Sequence, residues 1–255
     1  MTQSITFEAA QSRYQDYVLP NGTHIALNTY LGKNLVLLAS EGGDAPEAVG
    51  SLRCYPMAYL VEQGRDSEIQ AHYHQADQFQ LFVQGTGRIG THPLSGLAIH
   101  YANALSPYGP IVAHHEGLEY VTFRNRWDPG AQWMPGAAQR LRETPGRRYF
   151  AASHDFELPS EALEGPTVWQ ELVSEMLPGL GAWLVMLGPD EAFQGRSPLL
   201  GAGQFLYVLR GGIDDGNQTL PAQSVIFVEP QEKAASLVAG AQGAALVVMQ
   251  FPRTA

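Results

Sequence analysis

Two histidines separated by a single residue, His72 and His74, are followed after three intervening residues by Gln78 and then, after six more, by Gly85. In a β-strand, residues i and i+2 share a face, so both imidazoles would enter one cavity, an arrangement suited to holding a metal. After a turn at residues 75–77, the run QFQLFVQ has the aromatic and β-branched content of a second strand. It would place Gln78, Gln80 and Phe82 on one face, with the Gln78 amide approaching the histidines from a neighbouring strand. An amide there, rather than a carboxylate, leaves the metal its full positive charge, which favours an anionic oxygen ligand. A third imidazole must come from elsewhere. His114 and His115 are consecutive and point to opposite faces of a strand, so at most one can contribute; His114 is the expected ligand, with His100 its competitor. Arg88, His100, Tyr101 and Tyr108 join Gln80 and Phe82 as candidate substrate contacts.

The spacing of His72, His74, Gln78 and Gly85 resembles the first signature of the cupin superfamily: His-x-His, three or four residues, Glu, six residues, Gly. The one departure is Gln78 in place of Glu. Pro107-Tyr108-Gly109 is similar to the start of the second signature, in which a His follows after two intervening residues. Val112 stands at that place here, and His114 two positions beyond it. The resemblance implies a β-barrel with a metal pocket formed by His72, His74, Gln78 and His114, holding one divalent transition metal (Fe, Zn, Ni or Mn). It further implies an oxygenase-type enzyme acting on a small organic substrate that chelates the metal through oxygen. The alternatives are a metal-dependent isomerase, lyase or hydrolase, or a non-catalytic small-molecule binder.

The elements that must position these residues are short strands. Among 255 residues there are 27 Gly and 17 Pro, so turn formers punctuate brief apolar runs throughout, and an all-β chain is expected. A formal net charge of −10 disfavours nucleic acid and anionic membrane as partners and leaves a small molecule. No apolar run is long enough to span a bilayer, and the single cysteine, Cys54, rules out an intramolecular disulfide. A cytoplasmic protein is expected. The segment at 41–50 reads as a loop. Four arginines, Arg140, Arg142, Arg147 and Arg148, form a basic cluster expected to be a solvated linker face.

QFLYVLRG at 204–211 repeats QFQLFVQG at 78–85, at an offset of 126 residues, which suggests a duplicated domain. Carried forward by that offset, His72 and His74 fall on Pro198 and Leu200, neither of which ligates a metal. The expected organisation is therefore a first barrel with the metal site at 1–135, a linker at 136–166, and a degenerate second barrel at 167–255. The second barrel would serve as a structural or dimerisation module in a homodimer. Short helices are expected near 136–143 and 167–177, the latter from apolar residues at helical spacing.

Overall fold

The computed structural model describes residues 2–35, 37–38, 53–144, 149–159 and 165–253. The loop expected at 41–50 and two members of the basic cluster, Arg147 and Arg148, lie outside the described residues. The chain forms two compact units, Arg13–Phe156 and a second made of Met1–Ser12 with Glu157–Ala255. The second unit begins with β1 (Gln3–Ile5) and α1 (Phe7–Gln11), a single turn whose N-cap Thr6 accepts a hydrogen bond from Ala9 N.

The first unit is an antiparallel sheet of nine strands. In chain order they are β2 (Tyr14–Val18), β3 (His24–Leu31), β4 (Met57–Gln63) and β5 (Ser67–Ile69); then, after β6 (His72–Tyr73), come β7 (Gln78–Ile89), β8 (His92–Leu94), β9 (Ala98–Ala102) and β10 (Ile111–Arg124). After β11 (Gln132–Trp133) and helix α2 (Ala138–Glu143), the ninth strand of the sheet is β12 (Ala151–Asp155). The order across the sheet is β12-β9-β7-β10-β4-β3-β2, with β5 added to β10 and β8 to β7. β6 and β11 form a separate ladder that sets Trp133 opposite His72.

The second unit repeats this plan. β13 (Val168–Val173), β14 (Gly181–Leu187) and β15 (Ala192–Gln194) precede a 3-10 turn at Pro198–Leu200. β16 (Gln204–Asp214), β17 (Thr219–Pro221), β18 (Val225–Val228) and β19 (Ser236–Gln250) complete a sheet ordered β1-β18-β16-β19-β14-β13. Val185, Leu206, Val208, Ile226, Leu246 and Val248 belong to one buried cluster in it. Each such side chain contributes about 1.5–3 kcal/mol when withdrawn from water.

The all-β expectation holds, and so does the short helix near 136–143. Three boundaries differ. Residues 167–177 are not helical, because Val168–Val173 pairs with β14 as an edge strand. The stretch at 136–166 is not wholly a linker, because α2 lies within it and β12 pairs with β9 of the first unit. The first dozen residues belong to the second unit, because β1 pairs with β18. No described helix is long and apolar enough to cross a membrane.

The repeat is also visible in the backbone. Gly85 has φ +92, and a Cβ there would lie 2.0 Å from the Gly117 carbonyl oxygen; Gly211 has φ +77, with Gly243 O at 2.1 Å. Positions 85 and 117 become 211 and 243 at the same offset of 126. In both units a left-handed glycine lets the long strand cross closely over its partner where the ladder shifts register.

Candidate functional site

β6 and the turn after it bring His72 and His74 into the interior of the first unit, at 4% and 8% exposure. Their rings meet edge to face, with centroids 5.1 Å apart. His72 Nδ1 lies 2.7 Å from the Gln70 carbonyl oxygen, which can only accept, so the proton sits on Nδ1. Nε2 is then an acceptor, and the Tyr108 hydroxyl donates to it at 2.8 Å. His74 Nδ1 donates to Asp128 Oδ1 at 2.7 Å, and Asp128 also accepts from Gln75 N and Gly130 N. This leaves the lone pair of His74 Nε2 as its second functional atom.

The electrostatics match these tautomers. Burial, reinforced by His74, lowers His72 to about 3, and burial with the nearby Arg124 charge lowers His74, so both imidazoles are neutral at ordinary pH. Burial alone would raise Asp128, but His74 and Arg124 overcome it and hold the carboxylate ionised. Tyr108 is pushed up by burial and stays a protonated donor.

The cavity in front of these groups measures about 160 Å³. Its polar end is formed by His72, His74, Gln80, Tyr108, Arg124 and Asp128, and its walls by Leu27, Val61, Ile69, Tyr120 and Trp133. Two of the expected substrate contacts, Gln80 and Tyr108, therefore line it. His100 lies behind them, paired across the ladder with Gln80 and in ring contact with Tyr108 at 5.3 Å, its Nδ1 bonded to Ser153 Oγ.

Other expectations are corrected. His114 is exposed, in the part of β10 between Ala113 and Leu118 where the ladder to β7 shifts register. Tyr101, next to His100 in β9, points to the opposite face and packs on Phe79 and Phe150. Phe82 is core, in tilted ring contact with Tyr120, and Arg88, near the far end of β7, donates to Gly90 O just beyond it. Gln78 is fully buried, but its carbonyl oxygen accepts from Arg124 Nη2 at 3.0 Å and Nε at 3.3 Å instead of turning to the histidines.

Arg124, Asp128, Tyr59 and Trp133 escaped the sequence reading. The signal for Arg124 was its place in EYVTFRN, where Tyr120, Thr122 and Arg124 share a strand face and only the last is charged. Asp128 gave no local signal, since its partner His74 lies 54 residues away.

Among the described residues, no three His, Cys, Asp or Glu side chains converge on a metal position. The pair that is present nonetheless fits a metal. Each histidine has Nδ1 anchored to a carbonyl or carboxylate, the outer-shell support that metal-bound imidazoles almost always have; Nε2 is the donor atom of each, and on His72 a metal would take the place of the Tyr108 hydroxyl bonded there. Tyr108 stands beside them as an oxygen donor, while Gln78 is committed to Arg124.

No family model and no curated protein matches the chain. Solved structures do. A candidate dioxygenase from Nostoc punctiforme aligns with a TM-score of 0.66 at 13% identity, covering 99% of this chain and 83% of that one. Bacterial pirin YhhW from Escherichia coli, in complex with nickel(II), aligns with a TM-score of 0.61 at 10% identity, covering 99% and 100%. Bacillus subtilis oxalate decarboxylase, a protein with Mn(II) centres, aligns with a TM-score of 0.55 at 11% identity, covering 99% and 78%. All three have the cupin fold. With two similar antiparallel units related by a 126-residue repeat, and full-length alignment to these structures, this chain is a cupin-fold protein.

Proposed function

We propose that the first unit is a metal-dependent enzyme site of the oxygenase type, acting on a small organic molecule that reaches the polar end of the cavity through oxygen. The observation that carries this reading is the histidine pair: two neutral imidazoles lining the same cavity, each fixed through Nδ1 so that Nε2 is unprotonated. His72 and His74 would hold one divalent metal, which with so few protein donors would supply open positions for dioxygen and a chelating substrate. Asp128 and the Gln70 carbonyl keep the rings in the tautomer that leaves Nε2 unprotonated. With a metal on His72 Nε2, the Tyr108 hydroxyl would be displaced from that nitrogen and its one proton freed for a substrate oxygen beside His72. Tyr120, Trp133 and the aliphatic wall exclude water and match an apolar substrate body. The dioxygenase designation of one structural neighbour and the nickel(II) and Mn(II) of two others support the reading.

A second reading, a metal-free binding protein, is favoured by the lack of a third protein ligand among the described residues. Elemental analysis of the purified protein, with oxygen uptake measured on adding diketones or phenols, separates the two. The expected result is close to one equivalent of metal, lost in the His72→Ala/His74→Ala variant, together with metal-dependent oxygen consumption. Protein that retains no metal, or a double variant that keeps its metal, would overturn the proposal.

A further inference from the structure

Arg124, the guanidinium at the polar end of the cavity, has no part in holding the metal. Arg124 is 3% exposed and lies among the lining residues. A guanidinium carries five N–H donors in a fixed fork. One on Nη1 goes to the Tyr59 hydroxyl at 2.6 Å, and one each from Nε and Nη2 go to Gln78 Oε1. Both acceptors are neutral. The nearest carboxylate, Asp128, is 3.9 Å from Nη1, beyond hydrogen-bond distance, and its oxygens already receive His74 Nδ1, Gln75 N and Gly130 N. Asp128 therefore supplies a countercharge but no acceptor, and two guanidinium N–H donors are left unmatched among the described residues.

An independent observation lies beside it. Gln80, 3% exposed and also lining the cavity, has a side-chain oxygen without a hydrogen-bond partner. Buried polar groups are nearly always satisfied, and this oxygen can only accept, so it marks a place for a ligand N–H or O–H separate from the group that Arg124 holds. Beyond the polar end the lining is mostly aliphatic and aromatic, which suits a molecule with one polar end.

We infer that the cavity takes an organic carboxylate, bound through Arg124, with its apolar body against Tyr120 and Trp133. This rests on the reading of the cavity as a small-molecule site and names the substrate class for it. A planar fork with two spare donors matches a carboxylate better than any neutral oxygen group. Gln78 and Tyr59 act as positioning residues that fix the plane of the guanidinium.

The test is calorimetric titration of the chelator-treated, metal-free protein with benzoate and with benzamide, its neutral counterpart of the same shape, alongside the pairs acetate/acetamide and phenylacetate/phenylacetamide. At least one carboxylate should bind about tenfold or more tighter than its amide, since a charge-assisted bond is worth roughly twice a neutral one. Arg124→Gln should erase that preference, and Arg124→Lys, which keeps the charge without the fork, should retain part of it should the glutamine variant not fold. Equal affinity for carboxylate and amide in every pair, or a preference that survives Arg124→Gln, would overturn the inference. A preference that emerges only after metal is restored would also overturn it, because the metal would then be the anion's partner. If the protein binds no metal yet prefers the carboxylate, the oxygenase reading fails and this one stands.

Discussion

Asp128 shows how one side chain can fix both the chemistry and the stability of the site. Its carboxylate takes three donors, the His74 ring and two backbone N–H groups, using both oxygens. An asparagine in its place has only one acceptor atom, so at least one buried donor would lose its partner, at a cost of roughly 1–3 kcal/mol. Asp128→Asn should therefore lower unfolding free energy by about 2 kcal/mol at pH 7 and weaken metal binding about tenfold or more. The pH dependence follows from the depressed carboxylate. Its folded pKa lies below the unfolded 3.8, so its contribution is complete above 3.8 and is lost as pH falls below it. The gap between variant and parent in urea unfolding should shrink on that side. A variant equal to the parent in stability and metal affinity at pH 7 would show that Asp128 does not support His74. At this scale His72 and His74 were legible, because i and i+2 in a strand share a face whatever the rest of the chain does. Arg124 and Asp128 were not, since they reach Gln78 and His74 only through the pairing of β7 with β10 and the loop beyond it.

The long strands decide which residues can meet. β7 and β10 run side by side in the first unit, and β16 and β19 in the second, with Gly85 and Gly211 at the close crossings. Both glycines have positive φ and no space for a Cβ, whereas Gly96 meets nothing within 4 Å. Gly85→Ala and Gly211→Ala should each destabilise the protein by about 2–4 kcal/mol, against about 0.5 kcal/mol or less for Gly96→Ala. Equal midpoints for all three in chemical denaturation would refute the crossing geometry. The same scale explains two misreadings. Around His114 the β7–β10 ladder shifts register, so counting from Gly109 could not tell which imidazole turns inward. At 168–173 the apolar spacing fits a helix, yet pairing with β14 made it an edge strand with Val168 and Trp169 partly exposed. Tertiary pairing outweighed local periodicity there.

Across the whole chain, the duplication conserves scaffold and discards chemistry. The buried pair Gln78 and Arg124 becomes Gln204 and Gln250 at the same offset, two amides joined by a 2.6 Å hydrogen bond, so the second unit has no charge at that place. Apolar side chains fill its interior. The positions matching His72 and His74 are Pro198 and Leu200, in a 3-10 turn rather than a strand, with Pro198 buried and Leu200 49% exposed. Restoring the residue types should therefore not restore the site. A Pro198→His/Leu200→His variant is expected to bind the same single equivalent of metal per chain as the parent, because residues two apart in a 3-10 turn do not share a face as they do in a strand. At the same offset Asp128 falls on Thr254, which has no carboxylate to support a new imidazole as Asp128 supports His74. Elemental analysis after metal loading and desalting checks this. Two equivalents per chain would mean that identity at 198 and 200, and not the local backbone, is what separates the two units.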